Sequence, residues 1–335
     1  MSLSDKLSEY SQPLFAQLSR LVDLMPRPAI PRMIEEPELQ GTVESFDGTQ
    51  IFYECHGPQD SPEAPLVFCY GLVCSMNQWR AQLERYRPHR MCVLVDYRGH
   101  HRSAVPKNKA SLNMSALAKD VARVIEHLQF KGPAHIWGHS MGVNVALELA
   151  LAHPELCASL VLCCGTMHNP FESMFNTNVL ARFAEPMVRD AIEKPELYKI
   201  IWRLILANPK FVNIAASLVG FNEKASKKED TEAYAKAVAN ISNEVFFPLI
   251  LEMISGQSAN IVPKINTPAL VVAGSRDFMV PPTEVKALAS ALPNGEFFEV
   301  PMGSHNVQLD YGDYVCLRAE EFWRKIEVAS TGARL

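Results

Sequence analysis

The stretch Ala134-His135-Ile136-Trp137-Gly138-His139-Ser140-Met141-Gly142-Val143 decides how the rest of the chain is read. It opens with a short apolar run of strand character and passes directly into residues 141–153, which read as a helix. Gly138 and Gly142, two positions either side of Ser140, leave room for a sharp turn between strand and helix. Such a turn strains the serine backbone and lifts the hydroxyl above the sheet. It also sets that oxygen over a helix N-terminus, which favours developing negative charge. A Gly-x-Ser-x-Gly pattern by itself is common. Its position between a strand and a helix is what makes Ser140 a candidate nucleophile.

Outward from this point, short apolar strands alternate with helices. On the N-terminal side, residues 41–46 and 50–56 flank the turn signal Asp47-Gly48-Thr49 and read as a hairpin. Strands at Leu66–Tyr70 and Met91–Val95 follow, with helices near 75–87 and 111–129. On the C-terminal side come strands at Ser159–Cys163, Ala269–Ala273 and Glu296–Val300, a helix at 282–292 and a last helix near 307–327. This rhythm predicts the α/β class: a mostly parallel twisted sheet with helices on both faces. Residues 167–263 break the rhythm with helical segments and no clear strand, so they read as an inserted helical cap. The expected organisation is an N-terminal helix and Pro-rich linker over 1–40, a core of 41–166 and 264–335, and the cap between.

Composition narrows the class of protein. A length of 335 residues allows one large or two modest domains. A net charge of -5 supplies no general attraction for nucleic acid or an anionic membrane. No run approaches the roughly 18 apolar residues of a membrane span, and the N-terminus lacks the basic-then-apolar pattern of a secretory signal, so a cytoplasmic location is expected. None of the eight cysteines forms a CxxC pair or a Cys/His cluster of zinc spacing; buried reduced thiols, with no metal site and no cofactor, are expected. Residues 3–25 read as a helix with Leu14, Leu18, Leu21 and Met25 on one face. Its slightly acidic charge favours docking on the protein's own surface; peripheral membrane contact is the alternative. The oligomeric state is not legible.

A serine hydroxyl needs a base to attack at neutral pH. His305 follows the last expected strand, in Gly303-Ser304-His305, and Asp277 follows the strand before it, in Gly274-Ser275-Arg276-Asp277. Both leave carboxyl ends of parallel strands, the edge at which Ser140 emerges and at which ligands of open α/β sheets collect. The chain order Ser, Asp, His fits this sheet type. His305 would accept the hydroxyl proton and Asp277 would hold the imidazole tautomer. Main-chain N–H groups of Met141 and Leu72 are the expected oxyanion donors. Tyr70 and His139 are candidate substrate contacts, although packing of the Tyr70 ring under its loop is the favoured alternative for that residue.

With these motifs in order, residues 41–330 resemble the α/β-hydrolase family. Tyr70-Gly71-Leu72 with Trp79 resembles its oxyanion loop, and Asp96-Tyr97-Arg98-Gly99-His100-His101-Arg102-Ser103 resembles its DxRGxGxS loop. Two positions depart from the family pattern: Tyr70 stands where histidine is usual, and His101 replaces a glycine. If position 101 has a positive φ, histidine costs about 1 kcal/mol there. The adjacent pair His100-His101 is not expected to converge on a metal. Relatives that displace halide or open epoxides carry aspartate at the elbow, so Ser140 implies an acyl-enzyme.

The expected activity is cleavage of a carboxylic ester with a hydrophobic acyl chain, in the manner of esterases and monoacylglycerol-lipase-like relatives. Thioesterase, C–C bond hydrolase and acyltransferase activities on the same triad are the alternatives, followed by a non-catalytic receptor. The substrate clue is the apolar cap: Ile200, Ile201, Trp202, Leu204 and Ile205, with Phe211, Val212 and Ile214, then Val245, Phe246, Phe247, Leu249, Ile250 and Leu251. Helices this apolar are buried or line a greasy pocket.

Overall fold

The protein is represented by a computed structural model that describes residues 17–208, 220–222 and 226–331, with side chains to residue 328. Its centre is an eight-stranded sheet in the order β1-β2-β4-β3-β5-β6-β7-β8. β1 (Leu39–Glu44) and β2 (Gln50–His56) form the antiparallel hairpin, and β2 joins the rest by pairing antiparallel with β4 (Cys92–Val95). All other neighbours are parallel: β3 (Leu66–Cys69) with β4 and β5 (Ala134–His139), then β6 (Cys157–Cys163), β7 (Ala269–Gly274) and β8 (Gly295–Val300). β3, β4, β5 and β7 are buried at every position, as befits strands covered on both faces.

Helices cover both faces because their apolar residues recur at helical spacing. Met114–Leu128 buries Leu117, Val121, Val124 and Ile125 on one side, and Asn113 caps it by accepting from Ala116 N–H at 2.8 Å. Met141–Ala152 is apolar around most of its circumference and is buried accordingly. The last expected helix is in fact two, Val307–Asp310 and Gly312–Thr331. The break falls at Tyr311, whose backbone leaves the helical region with φ -131° and ψ 44°. At Gly312 beyond it a Cβ would lie 2.7 Å from Ala81 Cβ, so glycine lets the chain pass close to the Arg80–Tyr86 helix.

Between β6 and β7 the described residues form helices and no strand: Ala181–Glu193, Pro195–Leu206, Lys228–Asn240 and Asn243–Ser255. Of the apolar residues expected to be covered here, Val245, Phe247 and Leu249 are buried, and Val245 and Leu249 join the main core. Val245 fits against Gly99, where an added Cβ would meet its methyl groups at 2.7 and 3.0 Å. Ile201, Leu204 and Ile205 correct the expectation, being 41%, 58% and 41% exposed. That helix instead buries Arg203, whose Nη2 donates to Met25 C=O at 2.6 Å. Phe211, Val212 and Ile214 lie outside the described residues.

Residues 17–23 are helical and dock on the same Pro195–Leu206 helix, through Arg203 and a Lys199–Asp23 ion pair. The buried side holds Ser19 and Val22, while Leu18 and Leu21 face outward, a shift from the face expected. The Arg203 contacts to carbonyls of Val22 and Met25 set that rotation. Leu14 and the helical reading of residues 3–16 lie outside the described residues. No single described helix is long and apolar enough to cross a bilayer; Lys228–Asn240 and Asn243–Ser255 approach that hydropathy only jointly, across a 103° bend.

Candidate active site

The sheet's register explains why distant residues meet. Cys69 lies opposite Gly138 and His139 opposite Cys163, so β3, β5 and β6 end at one edge, where β7 and β8 also end. The next residues along the chain therefore share a rim: Tyr70-Gly71-Leu72, Ser140, Cys164, Asp277 and His305.

Ser140 has φ 53° and ψ -121°, a strained backbone for a residue with a side chain. The flanking glycines permit this turn. A Cβ at Gly142 would collide with Cys69 C=O at 1.9 Å, and one at Gly138 with Gly142 C=O at 2.7 Å. Ser140 N–H is held by Cys163 C=O at 3.0 Å, and the side chain stays half-buried. His305 Nε2 lies 3.0 Å from Ser140 Oγ, and His305 Nδ1 lies 2.8 Å from Asp277 Oδ2. Asp277 Oδ1 accepts from the N–H groups of Met279 and Val280 at 2.8 and 2.9 Å. The carboxylate is thus anchored by main chain on one oxygen while the other takes the imidazole N–H.

The loop after β3 is also strained: Cys74 N–H closes a turn onto Gly71 C=O at 3.1 Å, with β-branched Val73 at φ 61°. Leu72 sits in this turn, half-buried, and Met141 opens a helix whose first N–H groups lack intrahelical partners.

Tyr70 and His139 are corrected as substrate contacts. Tyr70 is fully buried; its hydroxyl donates to Asp96 Oδ1 at 3.2 Å and accepts from Tyr97 N–H at 3.2 Å. His139 is 1% exposed, with one ring nitrogen on His305 C=O and the other on Gln78. Burial, then the neighbouring His305, pushes its pKa well below the usual imidazole range. His101 does adopt a positive φ, 42°, and its Nε2 donates to Cys74 C=O at 2.6 Å, which offsets the strain. His100 is buried and pushed down to about 3 by burial and then His101; its ring lies 6.2 Å from that of His101.

Three groups escaped the sequence reading. Gln78 and Asn306 join a buried network around His139, and Cys164 brings its Sγ within 4.8 Å of ligand atoms of Asp277 and His305. Burial, and then the Asp277 charge, holds the Cys164 thiol well above its ordinary pKa, so it stands protonated against the carboxylate. No local pattern marks Gln78; Asn306 and Cys164 are marked only by adjacency to a motif and a strand end.

A family model described as the alpha/beta hydrolase fold matches residues 64–195. The chain is 27% identical over 278 residues to the proposed carbamate hydrolase RutD of Agrobacterium fabrum, covering 81% of this chain and 97% of that protein. It is 40% identical over 124 residues to a non-heme chloroperoxidase of Streptomyces lividans, covering 36% and 43%. Among solved structures, an esterase of Thermogutta terrifontis superposes with a TM-score of 0.69 at 21% identity, covering 86% of this chain and 99% of that one. An enol-lactonase of Burkholderia xenovorans LB400 superposes with a TM-score of 0.67 at 18% identity, covering 85% and 100%.

Proposed function

The chain belongs to the α/β-hydrolase fold family, and from that premise we propose that it is a serine hydrolase acting on carboxylic esters through an acyl-enzyme on Ser140. The observation that carries this reading is the continuous chain Ser140 Oγ–His305–Asp277, with links of 3.0 and 2.8 Å. Ser140 Oγ attacks the ester carbonyl as His305 Nε2 takes its proton. The oxyanion falls to the N–H groups of Leu72 and Met141, each such donor being worth about 10²–10³ in rate. The imidazolium then protonates the leaving alcohol, and water releases the acyl group by the same route. Asp277 stabilises the imidazolium without itself taking the proton.

A hydrophobic acyl group is favoured because Phe278, directly after Asp277, is 52% exposed, and Phe175 N–H bonds to its carbonyl at 2.6 Å. The helical insert between β6 and β7 would cap this side of the site. A carbamate is the second reading, supported by the RutD likeness along most of both chains. The same nucleophile serves either carbonyl.

The test is a fluorophosphonate probe on the folded full chain, with the modified residue identified by mass spectrometry. Stoichiometric labelling of Ser140 is expected, and none on a folded sample would overturn the reading. A p-nitrophenyl ester series of rising acyl length, run beside an aryl carbamate, then ranks the two substrate classes.

A further inference from the structure

Gln78 is not a residue that acyl transfer calls for, yet three active-site loops meet on its side chain. It is buried in the short turn of helix Met76–Trp79. The bonding around it can be worked out from main-chain groups whose polarity cannot change. The His305 carbonyl can only accept, so His139 Nε2, 2.8 Å away, carries the proton and donates. His139 Nδ1 is then an acceptor, and Gln78 Nε2 donates to it across 2.8 Å. The second amide proton goes to Asn306 Oδ1 at 2.9 Å, and Asn306 Nδ2 donates to Gly220 C=O at 2.6 Å. Gln78 Oε1 accepts from Gly71 N–H at 3.2 Å. The fixed polarities of Gly71 N–H and the His305 and Gly220 carbonyls thus determine both amide orientations and the imidazole tautomer.

We propose that Gln78 is a positioning residue that holds the oxyanion loop, the nucleophile elbow and the base loop in mutual register. The three loops follow β3, β5 and β8, of which β3 and β5 are neighbours in the sheet while β8 lies three places from β5. Gln78 ties Gly71, next to the donor Leu72, to His139, next to Ser140, and through Asn306 and His139 to the segment carrying His305. There is little slack between the first two: a Cβ at Gly71 would sit 3.0 Å from His139 Nδ1 and 3.1 Å from Ser140 Cβ. An apolar residue at position 78 would leave Gly71 N–H, His139 Nδ1 and Asn306 Oδ1 buried without this partner. The loops would then shift to recover partners, and a displacement of ~1 Å in such a site costs on the order of 10²-fold in rate.

The inference rests on the serine-hydrolase reading, and its test separates the two. Gln78→Met keeps the side-chain volume and removes the amide. With p-nitrophenyl butyrate and the full chain, kcat is expected to fall by about 10- to 100-fold while KM stays within about threefold, because transition-state geometry rather than ground-state binding is lost. An unchanged kcat, or a loss carried by KM, would overturn the proposal. Should that variant not fold, ¹⁵N-histidine NMR of the wild-type protein decides instead. His139 is expected as the neutral Nε2–H tautomer from about pH 5 to pH 9, although a free imidazole titrates near 6.5. The Nδ1–H tautomer, or titration of His139 within that range, would sink it. Failure of the wild type to react with a fluorophosphonate removes the hydrolase reading; a reactive wild type with an equally fast Gln78→Met variant removes this inference alone.

Discussion

Two of the buried polar clusters on this sheet differ in where the hydrogen bonds of their charged groups end. Beneath the hairpin, Arg98 is fully buried and spends all five N–H donors. Two go to Asp120 at 2.6 Å each, and the others to Asp47, Ser111 C=O and Ser45 Oγ. Beside it, Glu54 accepts from Arg32, Arg102 and His56, while Arg102 also reaches Asp96. Every charged group of this cluster is paired, and only His56 Nδ1 is buried without a partner. At the rim, Asp277 and His305 are equally well anchored, yet their chain ends on Ser140 Oγ, in a residue that stays only half-buried. Paired buried charge builds architecture, whereas a chain of hydrogen bonds that stops at a serine oxygen can do chemistry.

The contrast is sharpest at the rim. Ser140→Ala should lower ester hydrolysis by about 10⁶-fold with an unchanged thermal midpoint, since the hydroxyl bears no structural load. Retained turnover would mean that another nucleophile acts. Asp277→Asn should cost about 10⁴-fold in kcat by presenting the wrong imidazole tautomer. A loss smaller than about tenfold would assign the acid elsewhere.

The paired cluster should respond the other way. Arg98→Met leaves Asp120 buried without its main partner and removes the ion pair of the more exposed Asp47, and a loss of about 3–5 kcal/mol in urea unfolding is expected. Its kcat per folded molecule should stay near wild type; a large fall in kcat at full folding would erase the distinction between the clusters. Glu54→Gln gives a smaller and pH-dependent effect. Burial alone would raise the Glu54 pKa from 4.5, but hydrogen bonds from His56, Arg32 and Arg102 bring it to about 2. A depressed folded-state pKa contributes stability above the unfolded value of 4.5 and loses it as pH falls through about 2. The variant should therefore be less stable than wild type at pH 7, by about 1.5–3 kcal/mol, with the gap closing below pH 4.5. A gap that stays constant down to pH 2 would show that the carboxylate charge is immaterial.

Much of the fold was legible because its signals are local. Apolar runs marked the eight strands within two residues or so of their ends, and the turn at Asp47-Gly48-Thr49 announced the hairpin. Ser140 was legible because only small residues at 138 and 142 permit the strained turn, a constraint that shows directly as glycine. The less legible parts depend on partners. Tyr70 and His139 looked like substrate contacts from their adjacency to motifs, but their orientation follows from Asp96, Gln78 and the His305 carbonyl, which are distant in sequence. The Pro195–Leu206 helix was apolar in composition, yet which side it buries was set by Arg203 and the helix at 17–23.

The sequence alone determined the alternation of strands and helices, the strained serine turn and the identity of the residues able to form a relay, because each rests on sterics and periodicity within a few neighbouring residues. Tertiary structure alone decided which polar groups close on one another and which is left at the rim. That outcome depends on angles and distances between strands that no single segment encodes.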